Sequence, residues 1–350
     1  MIRRVRREVS AFALGGGRRT DVARGGGLWY TGIAMNRDTR KRIVRKVRVP
    51  LECVAILLGW LVIPAWPRCC VTGVATFAGW LMSIVCIRQT RIMAANLEIM
   101  YGDALSDAER RRIIRGAGAS AARVLLDFFW FSWFTRRRVM RYVTATEAFE
   151  RVVMDPKGAL LVSSHFGNWE LAALRGILIR GKAVSVFAKL GTPFAQRMML
   201  RLRTRLGLTM VPRSGAMVAL LRAVREGLPM AVLLDQHVGE EEGGMWVDFM
   251  GKPALISSVA GVLSVKRQVT VNLITPRYVA GGRVHVDVAE IMPPETATDV
   301  AAVTQWVADA MARQIRKDPT QWFLMYRRWR DVKPGTDISA YPFYVDKPRK

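Results

Sequence analysis

Short apolar runs stand at Ala159 to Ser163, Ala183 to Ala188, Met230 to Leu234 and Val269 to Ile274, and several of them are continuous rather than alternating. A strand with one face in water alternates apolar and polar residues, whereas a strand covered on both faces does not. Between and after these runs, 168–180, 193–206, 214–226 and 255–267 carry helical patterns. Strand–helix alternation of this kind implies an α/β fold, a mostly parallel sheet flanked by helices. Val284 to Val288 alternates cleanly and predicts an exposed edge strand carrying His285; 299–316 predicts a closing amphipathic helix.

Upstream the character changes. Leu51 to Trp66 is apolar apart from Glu52, and after Pro67 and Arg68 the run Cys69 to Ile87 has nineteen residues without a charge. A spanning helix needs roughly 20 apolar residues, so the second run qualifies and the first is short. Basic residues lie before the first run and after the second, which places cytoplasm on both sides of a hairpin. Core or interfacial helices would carry the same pattern, so membrane attachment is the expectation and spanning is left open. Ser106 and Glu109 form a capping box ahead of Ile113, Ala117, Ala121, Val124 and Phe128. The aromatic cluster from Phe128 to Phe134, followed by Arg136 to Arg138, suits a lipid–water boundary and a packed core equally. Residues 1–48 are rich in Arg and Gly and predict a disordered basic tail. The expected division is therefore a tail (1–48), a membrane-associated helical segment (49–135), an α/β domain (136–332) and a C-terminal tail (333–350).

Lys and Arg number 54 against 28 Asp and Glu, a formal charge of +26. Such a field attracts polyanions: nucleic acid, anionic lipid headgroups or an acidic carrier protein. No zinc-finger or RNA-binding signature accompanies it, and the aromatics sit in apolar rather than basic runs, so nucleic acid is not the expected partner. A non-catalytic membrane scaffold remains a rival reading of composition alone. Cys53, Cys69, Cys70 and Cys86 lack metal-ligand or disulfide spacing and point to a reducing compartment. Glu240 to Glu242, with Asp248, read as a solvated loop, and no metal site is expected.

The segment Leu160-Leu161-Val162-Ser163-Ser164-His165-Phe166-Gly167-Asn168-Trp169-Glu170 runs a buried strand directly into a histidine and then a helix. In open α/β sheets ligands bind at the carboxyl ends of strands, where His165 falls. Residues five apart on one helix point about 140° away from each other. His165 and Glu170 can therefore meet only if His165 precedes the helix, a geometry that the turn-prone pair Gly167 and Asn168 permits. Glu170 would then fix the imidazole tautomer and leave the other nitrogen as a base. His237 follows the strand ending at Leu234 and is a further candidate for the rim of the site.

Ser-His-Phe-Gly-Asn-Trp-Glu resembles the H-x-x-x-x-[DE] signature of lysophospholipid acyltransferases and, more narrowly, the His-x-Gly-Asn-Trp-Glu form of the lipid A late (lauroyl and myristoyl) acyltransferases. Three further segments resemble that branch: Arg91 to Leu97 with Ser106 to Arg110; Asp235-Gln236 with Val247 to Ala254; and Pro319 to Trp329. Together they cover about residues 85–330 in order. Phe249-Met250 departs from paired aromatics, and Val186 to Gly191 departs from the family's "YRPxxN" stretch, which leaves the acceptor open.

The resemblance implies a glycerolipid acyltransferase-like fold and an O-acyltransferase of the bacterial inner membrane, its catalytic domain facing the cytoplasm. His165 would be the general base, oriented by Glu170. The donor would be a thioester of acyl carrier protein, or of coenzyme A, and the acceptor a hydroxyl of a lipid A precursor or related glycolipid. A lysophospholipid, an amino-acid lipid or a mannolipid is the alternative acceptor. No cofactor is expected. Backbone N–H groups at Gly167 and Asn168 are the expected oxyanion donors. Lys189, Arg197, Arg201, Arg213 and Arg327, together with Asp235 and Gln236, are the expected substrate-binding residues. Ser163 and Ser164 lack the G-x-S-x-G elbow of a serine nucleophile.

Overall fold

Helix α1 (Arg37–Val62) begins inside the stretch expected to be disordered. Residues 37–48 contain no glycine and many Arg and Lys, which are good helix formers. This computed structural model describes residues 37–188 and 192–346, with side chains from residue 49 onward; the rest of the expected tail, 1–36, lies outside the described residues.

A 3-10 turn, Ile63–Ala65, leads to α2 (Arg68–Val85), then α3 (Ile87–Tyr101) and α4 (Asp107–Trp130). The capping box at Ser106 and Glu109 forms as expected. Among the described residues α2 is the one helix long and apolar enough to cross a membrane. Its buried face lies directly on α4: a Cβ on Gly79 would come within 2.4 Å of the Ala119 nitrogen and 2.5 Å of the Arg115 carbonyl oxygen. Only glycine allows the two backbones to approach that closely.

The remaining elements follow in order: α5 (Thr135–Tyr142), β1 (Val143–Ala145), α6 (Glu147–Met154), β2 (Leu160–Ser163), α7 (Trp169–Arg180), β3 (Ala183–Phe187), α8 (Pro193–Thr204), β4 (Leu208–Pro212), α9 (Ala216–Arg225) and β5 (Met230–Leu233). Then come β6 (Gly244–Phe249), β7 (Lys252–Ser257), α10 (Val259–Arg267), β8 (Val271–Val279), β9 (Arg283–Met292) and α11 (Val300–Lys317). The main sheet has the order β1-β9-β8-β2-β5-β3-β4. Every neighbouring pair is parallel except β8 with β9. The mostly parallel α/β architecture is thus as expected.

The central strand β2 shows why its sequence is continuously apolar. Leu160 and Val162 pack into the core with α9, α10 and α11, while Leu161 packs into the core that includes α6 and α7. Each face of the strand has its own helical layer.

Three local readings are corrected. β9 is not an edge, because β1 pairs along its outer side, and His285 is half-buried with Nδ1 2.9 Å from Thr144 Oγ1. The pattern at 255–267 is a strand end before a shorter helix, since β6 and β7 form a separate antiparallel hairpin. Met250 and Gly251 take φ of 60° and 89° at its tip, the signature of a type I′ turn, and Asp248 Oδ1 accepts from the Gly251 N–H at 2.8 Å. Residues 334–346 do not trail away: Tyr341 and Tyr344 are buried. Of the aromatic cluster, Phe129, Trp130 and Phe131 belong to the core, whereas Trp133 and Phe134 are exposed.

Candidate active site

Strand β2 pairs in register with β5 through Ser163 and Leu233. Two residues beyond that pair stand His165 and Asp235. His165 Nδ1 lies 2.7 Å from Asp235 Oδ1, and the His165 backbone N–H donates to Oδ2 at 3.0 Å. Trp322 Nε1 donates to the same oxygen at 2.9 Å. An ionised carboxylate only accepts, so the ring proton sits on Nδ1 and Nε2 is left as the acceptor nitrogen. The amide of Gln236 approaches Nε2 at 3.3 Å. Burial pushes the Asp235 carboxyl up, but the charge of His165 and the hydrogen bonds from His165 and Trp322 outweigh it, so its pKa falls below the ordinary value. Arg328, fully buried nearby, has its pKa drawn down by burial to about 10, with Asp235 opposing.

Glu170 does not orient His165. Its carboxylate is held by Arg203 of α8, with Nε donating to Oε2 at 2.7 Å and a second contact through Nη2, and Trp169 Nε1 donates to Oε1 at 3.0 Å. The helix starting at Trp169 turns Glu170 towards α8, while Asp235 already occupies Nδ1. Arg203 was not singled out from the sequence.

The turn between His165 and α7 is a structural clamp. Gly167 has φ +55°, and a Cβ there would fall 1.7 Å from the Pro276 carbonyl oxygen, so no other residue fits. Its N–H donates to the Gln321 carbonyl at 2.8 Å and is not free for an oxyanion. Phe323 N–H donates to the His165 carbonyl at 2.8 Å, which completes a backbone bridge to the Trp322 segment. Asn168 caps α7 through Leu171 N–H at 3.0 Å and donates to Asp127 Oδ2 at 2.9 Å and to Tyr278 OH at 3.0 Å. Asp127 also pairs with Arg68 of α2. The Asn168 side chain is thus a buried brace at the start of α7.

A cavity of about 660 Å³ opens at His165. Trp169, Glu170, Arg203, Arg213, Gln236 and His237 contribute to its lining, with Ala172, Ala173, Gly176, Ala183 and Ala231 among the apolar part. Trp169 packs edge-on to the imidazole, centroids 4.8 Å apart. Of the expected cations, Arg213 lies on the cavity, paired with Glu242 at 2.5 Å, so the acidic loop is not simply solvated. Arg197 and Arg201 are exposed on α8 and do not line the cavity. Arg327 faces away, binding the Tyr344 carbonyl at 2.7 Å and Asp346 at 2.5 Å. Lys189 lies outside the described residues. Asp235 acts behind the histidine rather than on the cavity wall, whereas Gln236 faces in. His237 reaches the rim, its Nε2 2.6 Å from Asp331 Oδ2.

Of the other segments that carried the resemblance, the one with Asn96 reaches this region. Asn96 Nδ2 donates to the carbonyls of Leu324 and Tyr326 at 2.7 and 2.9 Å, and its Oδ1 accepts from Tyr344 OH. Arg110, after the capping box, pairs with Glu98 at 2.8 Å. Asn96 thus ties α3 to the segment that follows Trp322, while Arg110 ties α4 to the end of α3.

The chain is similar to known acyltransferases. A phosphatidylinositol mannoside acyltransferase of Mycobacterium tuberculosis (strain CDC 1551 / Oshkosh) is 24% identical over 197 residues, 55% of this chain and 61% of that protein. One from Mycolicibacterium smegmatis is 22% identical over 180 residues, 49% of this chain and 57% of that protein. The matches span about three fifths of these relatives' length. The crystal structure of the 1-acyl-sn-glycerophosphate acyltransferase PlsC from Thermotoga maritima aligns with 73% of this chain and 99% of its own, at 12% identity and a TM-score of 0.35, a likeness too slight to argue from. The family model for bacterial lipid A biosynthesis acyltransferases matches residues 40–331, and the chain belongs to that family.

Proposed function

We propose that the chain transfers a fatty acyl group from a thioester to a hydroxyl of a glycolipid, with His165 as general base and Asp235 as the carboxylate that orients it. The carrying observation is the imidazole whose Nδ1 is tied to buried Asp235 at 2.7 Å while the ring opens onto an apolar cavity. Nε2 takes the proton of the acceptor hydroxyl as its oxygen bonds to the thioester carbonyl carbon. The tetrahedral species then collapses, the C–S bond breaks, and the imidazolium returns the proton to the departing sulfur. No acyl-enzyme is needed. Ser163 Oγ is buried and donates to the Ile274 carbonyl at 2.8 Å, which makes it a poor nucleophile.

A lipid A precursor is the acceptor favoured by the family. A phosphatidylinositol mannoside-like lipid is the second reading, favoured by the substrate class in the relatives' names. An acyl carrier protein thioester is the proposed donor ahead of coenzyme A. A strain lacking the gene, complemented with the parent or with His165→Ala, tests the reading by lipid mass spectrometry. The parent restores one acylated glycolipid, and the variant does so at least about 10²-fold more slowly, the range of a positioned base. Equal lipid profiles with equal protein levels would remove the reading.

The proposed location is the cytoplasmic face of the bacterial inner membrane, with α2 lying in the lipid surface rather than crossing it. Phe77, Trp80, Leu81 and Ile84 of α2 are exposed, as are Leu57, Leu58 and Leu61 of α1. The opposite face of α2 is packed on α4, whose Arg111, Arg112 and Arg115 are exposed. A spanning α2 would carry those arginines towards hydrocarbon, at a cost of several kcal/mol. Cys69 and Cys86 stand at opposite ends of α2. An impermeant thiol reagent should reach both from one side of sealed vesicles; labelling from opposite sides would show a span.

A further inference from the structure

We propose that Gly176 sets the length of acyl chain that the enzyme accepts, an inference that rests on the acyl-transfer reading. The cavity that opens at His165 continues along α7. Trp169, Ala172, Ala173 and Gly176 fall at helical spacings of three, four and seven and all line it. At about 1.5 Å per residue, Gly176 lies about 10 Å along the helix from Trp169. The facing wall is the sheet, with Leu161, Ala183 and Ala231. The pocket therefore descends from the carboxyl ends of the strands, where the histidine stands, towards their amino ends.

Gly176 sits in the middle of α7, where glycine is less favourable than alanine. The backbone does not require it, because its φ is not positive, unlike that of Gly167. Nor does packing require it: a Cβ would stand 3.5 Å from Phe149 Cζ and 3.7 Å from Val153 Cγ2, ordinary contact distances. Phe149 and Val153 of α6 line the same cavity. What glycine leaves at this position is free volume between α7 and α6, where a saturated chain attached to a thioester at His165 would end.

The test uses the full chain in membranes, with a series of saturated acyl thioesters of increasing length. Gly176→Leu should lower turnover of the longest accepted chain relative to the shortest by at least about tenfold, the discrimination a hydrophobic pocket gives for small volume changes. Gly176→Ala, for which space exists, should move the profile the same way by less. Val153→Ala should move it towards longer chains. These opposed shifts are not what general damage to the fold produces, and thermal melts confirm that the variants compared are folded. Parent activity that is abolished by His165→Ala, with length ratios unchanged in folded Gly176→Ala and Val153→Ala, overturns the role of Gly176 and leaves the acyltransferase reading intact. A parent that transfers no acyl group of any length overturns both.

Discussion

Two histidines line the same cavity, each beside an aspartate, and they are held in opposite senses. His165 uses Nδ1 to reach Asp235, whose side chain is only 3% exposed and receives further bonds from Trp322 and the His165 backbone. His237 uses Nε2 to reach Asp331, which is 32% exposed and also lies 3.8 Å from Arg330. The first carboxylate is dry and multiply bound, so it fixes a tautomer and directs the other nitrogen towards the cavity. The second is 32% exposed as a whole, and its Oδ2, the atom that faces His237, is buried without a hydrogen-bond partner among the described residues, so it fixes no tautomer. Proximity of a histidine to a carboxylate is therefore not enough to make a base. In the proposed mechanism the hydrogen bond at Nδ1 and the burial of its carboxylate are what set His165 apart.

The comparison breaks most readily under substitution. His165→Ala should lower acyl transfer by 10² to 10⁴-fold or more, whereas His237→Ala should lower it by less than about tenfold, chiefly through KM. Similar losses in both, measured with one thioester and one acceptor, would erase the distinction. A smaller effect separates the two residues in acid. Burial, with Arg330, Arg328 and Arg213 adding and Asp331 opposing, lowers the pKa of His237. The unfolded chain therefore takes up that proton first as pH drops below about 6.5, and stability falls until the folded-state pKa is passed. Asp235 has a depressed folded pKa, so its contribution is present above about 3.9 and is lost only as pH falls through the lower folded value. His237→Gln should flatten the melting-temperature profile just below neutrality. Asp235→Asn should remove the loss of stability that the parent shows in strong acid, and an unchanged acid limb in that variant would contradict the assignment.

The parallel sheet was legible because Leu160 to Val162 and Met230 to Leu233 are apolar on both faces, and the histidine was legible because one of those strands runs straight into it. Its partner was harder to read. Asp235 is 70 residues away in sequence, and only the Ser163–Leu233 register brings the two strand ends together. One signal was present: both strands are followed at the same offset by a side chain capable of proton chemistry. Glu170 drew attention because it is near in sequence, yet α7 turns it towards Arg203, whose place depends on how α8 packs. The β6–β7 hairpin escaped notice because Met250 accepts a positive φ at its tip, where asparagine or glycine would have announced the turn. Gly167 was read correctly as a turn residue, but its N–H was assigned to an oxyanion before the Gln321 carbonyl that takes it was known.

The most direct measurement sets Asp235→Asn beside Glu170→Gln in one acyl-transfer assay, at equal protein levels and with matched melting temperatures. Removing the carboxylate charge at position 235 while keeping its shape should favour the wrong tautomer and lower kcat by roughly 10² to 10⁴-fold. Glu170→Gln, which loosens Arg203 and α8, should cost no more than about tenfold. The opposite ranking, with Asp235→Asn close to the parent and Glu170→Gln inactive, would contradict the assignment of Asp235 as the residue that makes His165 a base.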